Sequence, residues 1–533
     1  MPEYLSPGVY VEEISVGPKP IEGVSTSTTG FVGQTERGPL YARLVTSWLD
    51  YQRWYGNYMD TAVSYTAHAV KGFFDNGGQR AFIARVVRGD AGTPASLTLD
   101  TDTTQQLRID AIGPGEFGNR IYVRVDSGKQ KGFRLTILYY RVAPPEPFVD
   151  PLDPANLADE NRRDPDATED YDNLGLLPNG PRYAITTVNA GSQLIQIDWQ
   201  FADEPPAMPE IPDPPVFEPL TDGSDGIDAP TATMYIGAHA MPENRRGLSL
   251  MEQIDEISIL AVPDEVHVSI SPADRDTIRG AVVNQCEALK DRFGVLQIPE
   301  NMGNVTEVGF NRDTSYAAIY YPWIRVYDPA LQDAVKIPPS GHVACIFART
   351  DVERGVHKAP ANTVVRGILA SDLPGNRGPL EYTVNKGEHD ILNPRGVNVI
   401  RDFRSDGRGV RVWGARTMSS DPEWRYVNVR RLFLFVEESI DEGTQWVVFE
   451  PNYEPTWARV ARSITNFLIR VWRDGALAGV TQDEAFFVKC DRTTMTQDDI
   501  DNGRLICYIG IAPVKPAEFV IFRISQKTLE AAG

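Results

Sequence analysis

The stretch from Pro144 to Pro230 constrains this chain more than any other. It holds 16 of the 40 prolines and 19 Asp or Glu residues, against only Arg162, Arg163 and Arg182. Proline fixes φ and removes a backbone donor, and like charges repel. Neither a long helix nor a central strand can therefore run through PPEPFVDPLDP or DEPPAMPEIPDPPVFEP. We read the stretch as loops around a small strand set, YAITTV and QLIQIDW, decorating an exposed surface; a flexible acidic linker is the alternative. Most of the formal net charge of -21 lies here, and the remainder of the chain is near balance.

What flanks the stretch has core character. The 533 residues exceed the roughly 100 to 200 of a single domain, so two to four domains are expected. Between Thr61 and Asn76, apolar residues at Ala62, Tyr65, Ala69, Val70, Phe73 and Phe74 have helical spacing, and Asn76-Gly77-Gly78 ends the helix before the strand-like AFIARVV. Further on, ISILAVP, a helix opened by Ser271-Pro272, and VLQIP form a second unit. In its helix Ile278, Val282, Cys286, Leu289 and Phe293 share one face. Strand, helix, strand implies a parallel pair in an α/β core.

The search for chemistry finds little. Gly113, Gly115 and Gly118 have dinucleotide-fold spacing, but Ile121, Val123 and Val125 alternate directly after them as a strand. A phosphate site needs a helix there, so we read a glycine-rich connection. No phosphate loop, HExxH or nucleophile elbow occurs. Glu388-His389-Asp390 reads as solvated surface rather than a metal site, and Ser340-Gly341-His342 as turn chemistry after Pro338-Pro339. The acidic run at Asp222, Asp225 and Asp228 lacks the Glu of a calcium loop and reads as a polar hinge. Cys286, Cys345, Cys490 and Cys507 form no CxxC pair and are expected as free thiols. The acidic balance disfavours nucleic acid as a partner. No cofactor and no metal are expected. The start, MPEYLSPGVYVEEI, has no secretory pattern and no apolar run approaches the roughly 20 residues of a membrane span, so synthesis in a cytoplasm is expected.

The ends are more informative. GVYVEEI, with Val9, Tyr10 and Val11, alternates as a strand and is followed by the tether EGVSTSTTG. EFVIFRIS, with Phe519, Val520, Ile521, Phe522 and Ile524, does the same at the other end. Strands on loose tethers suit pairing with a sheet edge of another copy, and a non-reciprocal exchange builds rings or filaments. Closure of the chain's own sheet is the alternative. After EPNYE, a helix from Pro455 to Gly475 puts Trp457, Val460, Ala461, Ile464, Phe467, Leu468, Val471 and Trp472 on one face. Arg459, Arg462, Asn466, Arg470 and Arg473 lie on the other, with no acid between Pro455 and Arg473. A solvated basic face is the bland alternative.

Three segments carry a resemblance. YLSPGVYVEEI…GVSTSTTGFVGQTERGP, SYAAIYYPWIRVYDP…IPPSGHVACIFARTDVERGVHKAPAN and NPRGVNVIRDF…VWGARTMSSDPEWRYVNVRRLFLFVEESI…WVVFEPN resemble contractile tail sheath proteins of phages and related injection systems. The similarity spans the N-terminal arm and the chain from about Met234 onward. It implies a multi-domain α/β (α+β) fold: a mixed-sheet core with helices, a β-rich surface insert, and extended terminal strand arms. The implied division is an arm over 1–35, core over 36–100 and 231–395, an outward acidic insert over 101–230, a tube-facing C-terminal domain over 396–515 and a second arm over 516–533. The resemblance further implies a structural subunit and not an enzyme. Six copies per ring would stack helically around an inner tube, between baseplate and terminator proteins, assembled in a bacterial cytoplasm. Contraction would run from a metastable extended state without nucleotide hydrolysis. The arms would weave neighbours together, and by helix position Arg459, Arg462, Arg470 and Arg473 would face the tube. Two rival classes are an α/β enzyme with an acidic lid and a non-contractile filament protein.

Overall fold

The computed structural model describes residues 20–89, 92–101, 103, 105–200, 206–226, 229–238, 241, 244–369, 378–521 and 523. They form two compact units. The larger comprises 26–353 with 359–430, and the smaller 20–25, 354–358 and the chain from Arg431 onward.

The larger unit is built on a nine-stranded mixed sheet. In spatial order its strands are Thr363–Val364, Gly409–Val412, Val397–Phe403, Ala317–Tyr321, Phe293–Gln297, Ile259–Ala261, Thr29–Gln34, Ala81–Val86 and Arg43–Val45. The six from Val397–Phe403 to Ala81–Val86 run parallel, and the outer strands pair antiparallel. Parallel strands are buried on both faces, so they read as continuous apolar runs; Thr29–Gln34, Phe293–Gln297 and Ala317–Tyr321 are buried at every position. The expected strand, helix, strand unit is present: Ile259–Ala261 and Phe293–Gln297 pair in parallel, joined through the helix Pro272–Leu289 that Ser271 caps. Two details differ. Leu289 is exposed at the last turn, and Phe293 opens the strand rather than extending the helix face.

The first helix starts at Thr66, not Thr61. Asp60 stops it earlier, because its side chain accepts the Ala62 N–H at 2.9 Å and its carbonyl accepts those of Val63 and Ser64. Such Asx-type turns compete with helix at the N-terminus. The division expected at residue 396 also differs: Val397–Phe403 and Gly409–Val412 belong to the large sheet, so the C-terminal unit begins at Arg431.

The acidic insert folds as two sheets. One has the order Ser96–Asp100, Gln106–Ala111, Ile195–Gln200, and the other Glu218–Pro219, Ile121–Ser127, Phe133–Tyr139, Ala167–Leu174. It is not a linker. Its acids are spent partly on local pairing: Arg134 meets Asp170 through two bonds of 2.6 and 2.7 Å, and Arg124 reaches Asp126 and Asp150. QLIQIDW supplies a strand as expected, whereas YAITTV is a helix, Ala184–Gly191, with Ala184 and Val188 buried one turn apart. Packing at that spacing overrides the β-branched content.

The smaller unit contains residues 431–444 of the helix Val427–Thr444, the helix Glu454–Arg473 and an antiparallel ribbon of Phe486–Lys489 with Tyr508–Ile511. Its core joins Leu432, Val436, Val460, Ile464, Phe467 and Leu468 with Ile21 from the N-terminal side of the chain.

Candidate functional site

The motifs that hint at catalysis dissolve into packing. A Cβ on Gly113 would overlap the Gly38 carbonyl oxygen, one on Gly118 would lie 2.6 Å from the Ala95 Cβ, and Gly115 has φ +141. The three glycines allow a tight strand connection, with only a turn of 3-10 helix at Glu116–Arg120 before the strand. Arg85 donates to the Gly38 and Pro114 carbonyls at 2.9 and 2.7 Å and closes the loop.

Ser340-Gly341-His342 opens a helix, Ser340–Arg354, rather than a turn. His342 is fully buried against Gly72, and burial, with the nearby His68 and Lys71, holds its pKa down to about 3. Glu388-His389-Asp390 lies on the helix Lys386–Leu392, where Glu388 completes a capping box with Asn385. Asp225 accepts the Glu116 N–H at 3.2 Å, and the Asp222 carbonyl accepts from the Thr93 hydroxyl; Asp228 lies outside the described residues. Among the described residues no group of three or more His, Cys, Asp or Glu is placed to hold a metal, and no helix is long and apolar enough to cross a membrane.

The assembly residues expected at the ends fall unevenly. Val9, Tyr10, Val11, Phe522 and Ile524 lie outside the described residues. Phe519, Val520 and Ile521 are described, and they are irregular chain exposed at 71, 68 and 78 %. Close to where the N-terminal segment enters, Ile21 is buried, Val24 N–H donates to the Ser439 hydroxyl at 3.1 Å, and a Cβ on Gly23 or Gly443 would collide with Phe435 or Ile21. The ribbon of Phe486–Lys489 and Tyr508–Ile511 has only two strands among the described residues, so each strand keeps one unpaired edge.

The arginine helix behaves as its pattern indicates, from Pro455 in the first turn to a positive-φ Gly475 beyond the last. Trp457, Val460, Ile464, Phe467, Leu468 and Val471 are buried. The four arginines divide. Arg459 pairs with Glu450 at 2.7 Å, and Arg470 donates to the Ile21 carbonyl. Arg462 and Arg473 are exposed, with no partner among the described residues. Sequence spacing placed all four on one face but could not foresee that division, since Glu450 and Ile21 come from other segments.

The family profile described as phage tail sheath protein central domain matches residues 250–418, and that described as phage tail sheath C-terminal domain matches residues 419–527. The chain belongs to the contractile tail sheath family. As a sheath protein it is 29% identical over 249 residues to a prophage major tail sheath protein of Pseudomonas aeruginosa (strain UCBPP-PA14), covering 46% of this chain and 61% of that one. It is 27% identical to the tail sheath protein of Burkholderia phage BcepMu, over 33% of this chain and 37% of that one. The match thus spans less than two thirds of these curated relatives. The fold is similar throughout to the anti-feeding prophage helical sheath in its contracted state, with a TM-score of 0.55, 25% identity, and coverage of 98% of this chain and 100% of that one. The sheath complex of an extracellular contractile injection system, PVC, in its contracted state gives a TM-score of 0.54 and 23% identity, over 99% of both chains. These sheath matches agree with the mixed α/β fold described above.

Proposed function

We propose that the chain is the structural subunit of a contractile sheath. Copies polymerise in stacked six-membered rings around an inner tube, between a baseplate and a terminator, and contract to drive the tube through a target envelope. The observation that carries this reading is the ribbon of Phe486–Lys489 with Tyr508–Ile511, which has two strands among the described residues, together with Phe519, Val520 and Ile521, which are exposed apolar residues in no strand. A two-stranded ribbon is marginal alone, and added strands complete it through main-chain hydrogen bonds. Arms around Val9–Val11 and Phe519–Ile524 supply such strands from neighbouring copies. Each copy gives to one neighbour and takes from another, so the contact is heterologous and propagates. The arms stay engaged while rings slide from a metastable extended packing to a lower-energy one, which needs no nucleotide.

Helical sheath and baseplate assemblies formed by the anti-feeding prophage relatives support the stacking. We assign no catalytic activity, since the named relatives are structural sheath proteins. Arg462 and Arg473 are the cations left available to an acidic tube surface.

Electron microscopy of the purified chain, alone and co-expressed with its neighbouring tail proteins, tests the proposal. Hollow cylinders with a ring repeat, lost on deleting residues 1–19, are the expected result. Dispersed subunits under both conditions would overturn it.

A further inference from the structure

Cys490 and Cys507 are separated by 16 residues in the chain and carry no recognisable motif. The ribbon's register brings them together. Lys489 pairs with Tyr508, so one step beyond the last pair Cys490 stands opposite Cys507, and both thiols pack with Trp457 and Met495. Opposed Cα atoms of an antiparallel pair lie about 4.5 to 5.5 Å apart, within the span an unstrained disulfide needs. Cys490 is buried while Cys507 is half-exposed, so a small reagent has access to one sulfur of the two. The interaction with Cys507, together with burial, pushes the Cys490 thiol up, and the interaction with Cys490 holds Cys507 below the usual thiol range.

We infer that Cys490 and Cys507 are a redox pair that closes to a disulfide when the chain meets a small-molecule disulfide such as oxidised glutathione. The Cys507 thiolate attacks one glutathione sulfur, the glutathione S–S bond breaks, and the first glutathione leaves as a thiol carrying the proton Cys507 lost. Cys490 then gives up its proton and attacks the Cys507 sulfur, releasing the second glutathione. Two electrons and two protons pass from the protein to glutathione. Inside a reducing cytoplasm the pair stays open, and in a released particle it closes. The consequence rests on the sheath reading: the bond pins the end of the ribbon that accepts the arms. Bond formation itself does not depend on that reading.

The test uses the dispersed, folded subunit. Cys286 and Cys345 are buried in the larger unit with thiols pushed up to about 12, and they serve as internal controls. With oxidised glutathione the expected result is a mass loss of about 2 Da, a proteolytic fragment joining Cys490 to Cys507, and a C490S variant that stops at a glutathione adduct on Cys507. A stable adduct on Cys507 in the unaltered chain, or no reaction at either thiol, would overturn the inference. Neither outcome depends on whether cylinders form, so it stands or falls separately from the sheath.

Discussion

The buried carboxylate of Asp264 accepts the backbone N–H of Tyr65 at 2.7 Å, across 199 positions of sequence. The same carboxylate accepts from Ser64, Thr66, Gln34 N–H and the Tyr235 hydroxyl. One side chain thus ties the end of the Thr29–Gln34 strand to the start of the Thr66–Asp75 helix. It also reaches the Ala232–Ile236 helix, on the far side of the insert.

Replacing Asp264 by Ala leaves five buried donors without an acceptor. Each unsatisfied buried donor costs about 1 to 3 kcal/mol, and the polar knot relaxes only partly, so we expect a loss of about 4 kcal/mol. Denaturant titration of the dispersed subunit measures it. Asp264→Asn should cost less, since shape and some acceptor capacity remain. Equal stability of the Ala variant and the natural chain would disprove the role.

Gly341 marks a close helix approach. A Cβ there would fall within 2.5 Å of the Ala69 backbone, so backbone rather than a flexible side chain would have to move. Gly341→Ala should therefore destabilise by about 1 to 3 kcal/mol despite Ala's better helix propensity. A variant that gains stability in thermal unfolding would show the helices free to part.

His342 sets an acid limit. Its folded pKa of about 3 lies below the ordinary value of 6.5, so between these the unfolded chain binds the extra proton. Stability must fall as pH drops from about 6.5 toward 3, and it is retained above that window. His68 with its Asp328 partner, Lys71 and Asp75 line the same cavity. Glu265 works in the opposite sense: burial pushes it up to about 7, so its contribution is lost as pH rises from about 4.5 to 7. A His342→Gln variant should lose about 1 to 2 kcal/mol less than the natural chain between pH 6.5 and 5, by urea unfolding at each pH. Parallel pH profiles would assign the acid response elsewhere.

The arginine stripe should divide under mutation as it does in the structure. Arg462→Glu with Arg473→Glu removes no internal contact among the described residues, so subunit stability should change by no more than about 0.5 kcal/mol. We expect tube-bound extended sheath to shorten or detach, most strongly at low ionic strength, because added salt screens the repulsion that the new carboxylates create. Arg470→Glu should instead loosen the segment at Ile21, read as faster proteolysis near residues 20–25. Unchanged tube-bound length in the double variant would remove these two residues from the tube contact.

Much of this was legible in the chain itself. Continuous apolar runs such as AFIARVV and VLQIP can only be parallel strands or buried helix, and Ser271-Pro272 or Pro455 mark helix starts by backbone chemistry alone. The stripe at Arg459, Arg462, Arg470 and Arg473 follows from a period of 3.6 residues. Local rules failed where distant groups decide the outcome. YAITTV became a helix because Ala184 and Val188 find a buried surface. Ser340-Gly341-His342 became a helix start because Gly341 meets the Ala69 backbone, and Asp264 is meaningful only once five donors converge on it. The division of the arginines and the meeting of Cys490 with Cys507 have the same origin. Propensity and spacing act within a few residues, whereas burial, charge pairing and register are set by segments that only the folded chain brings together.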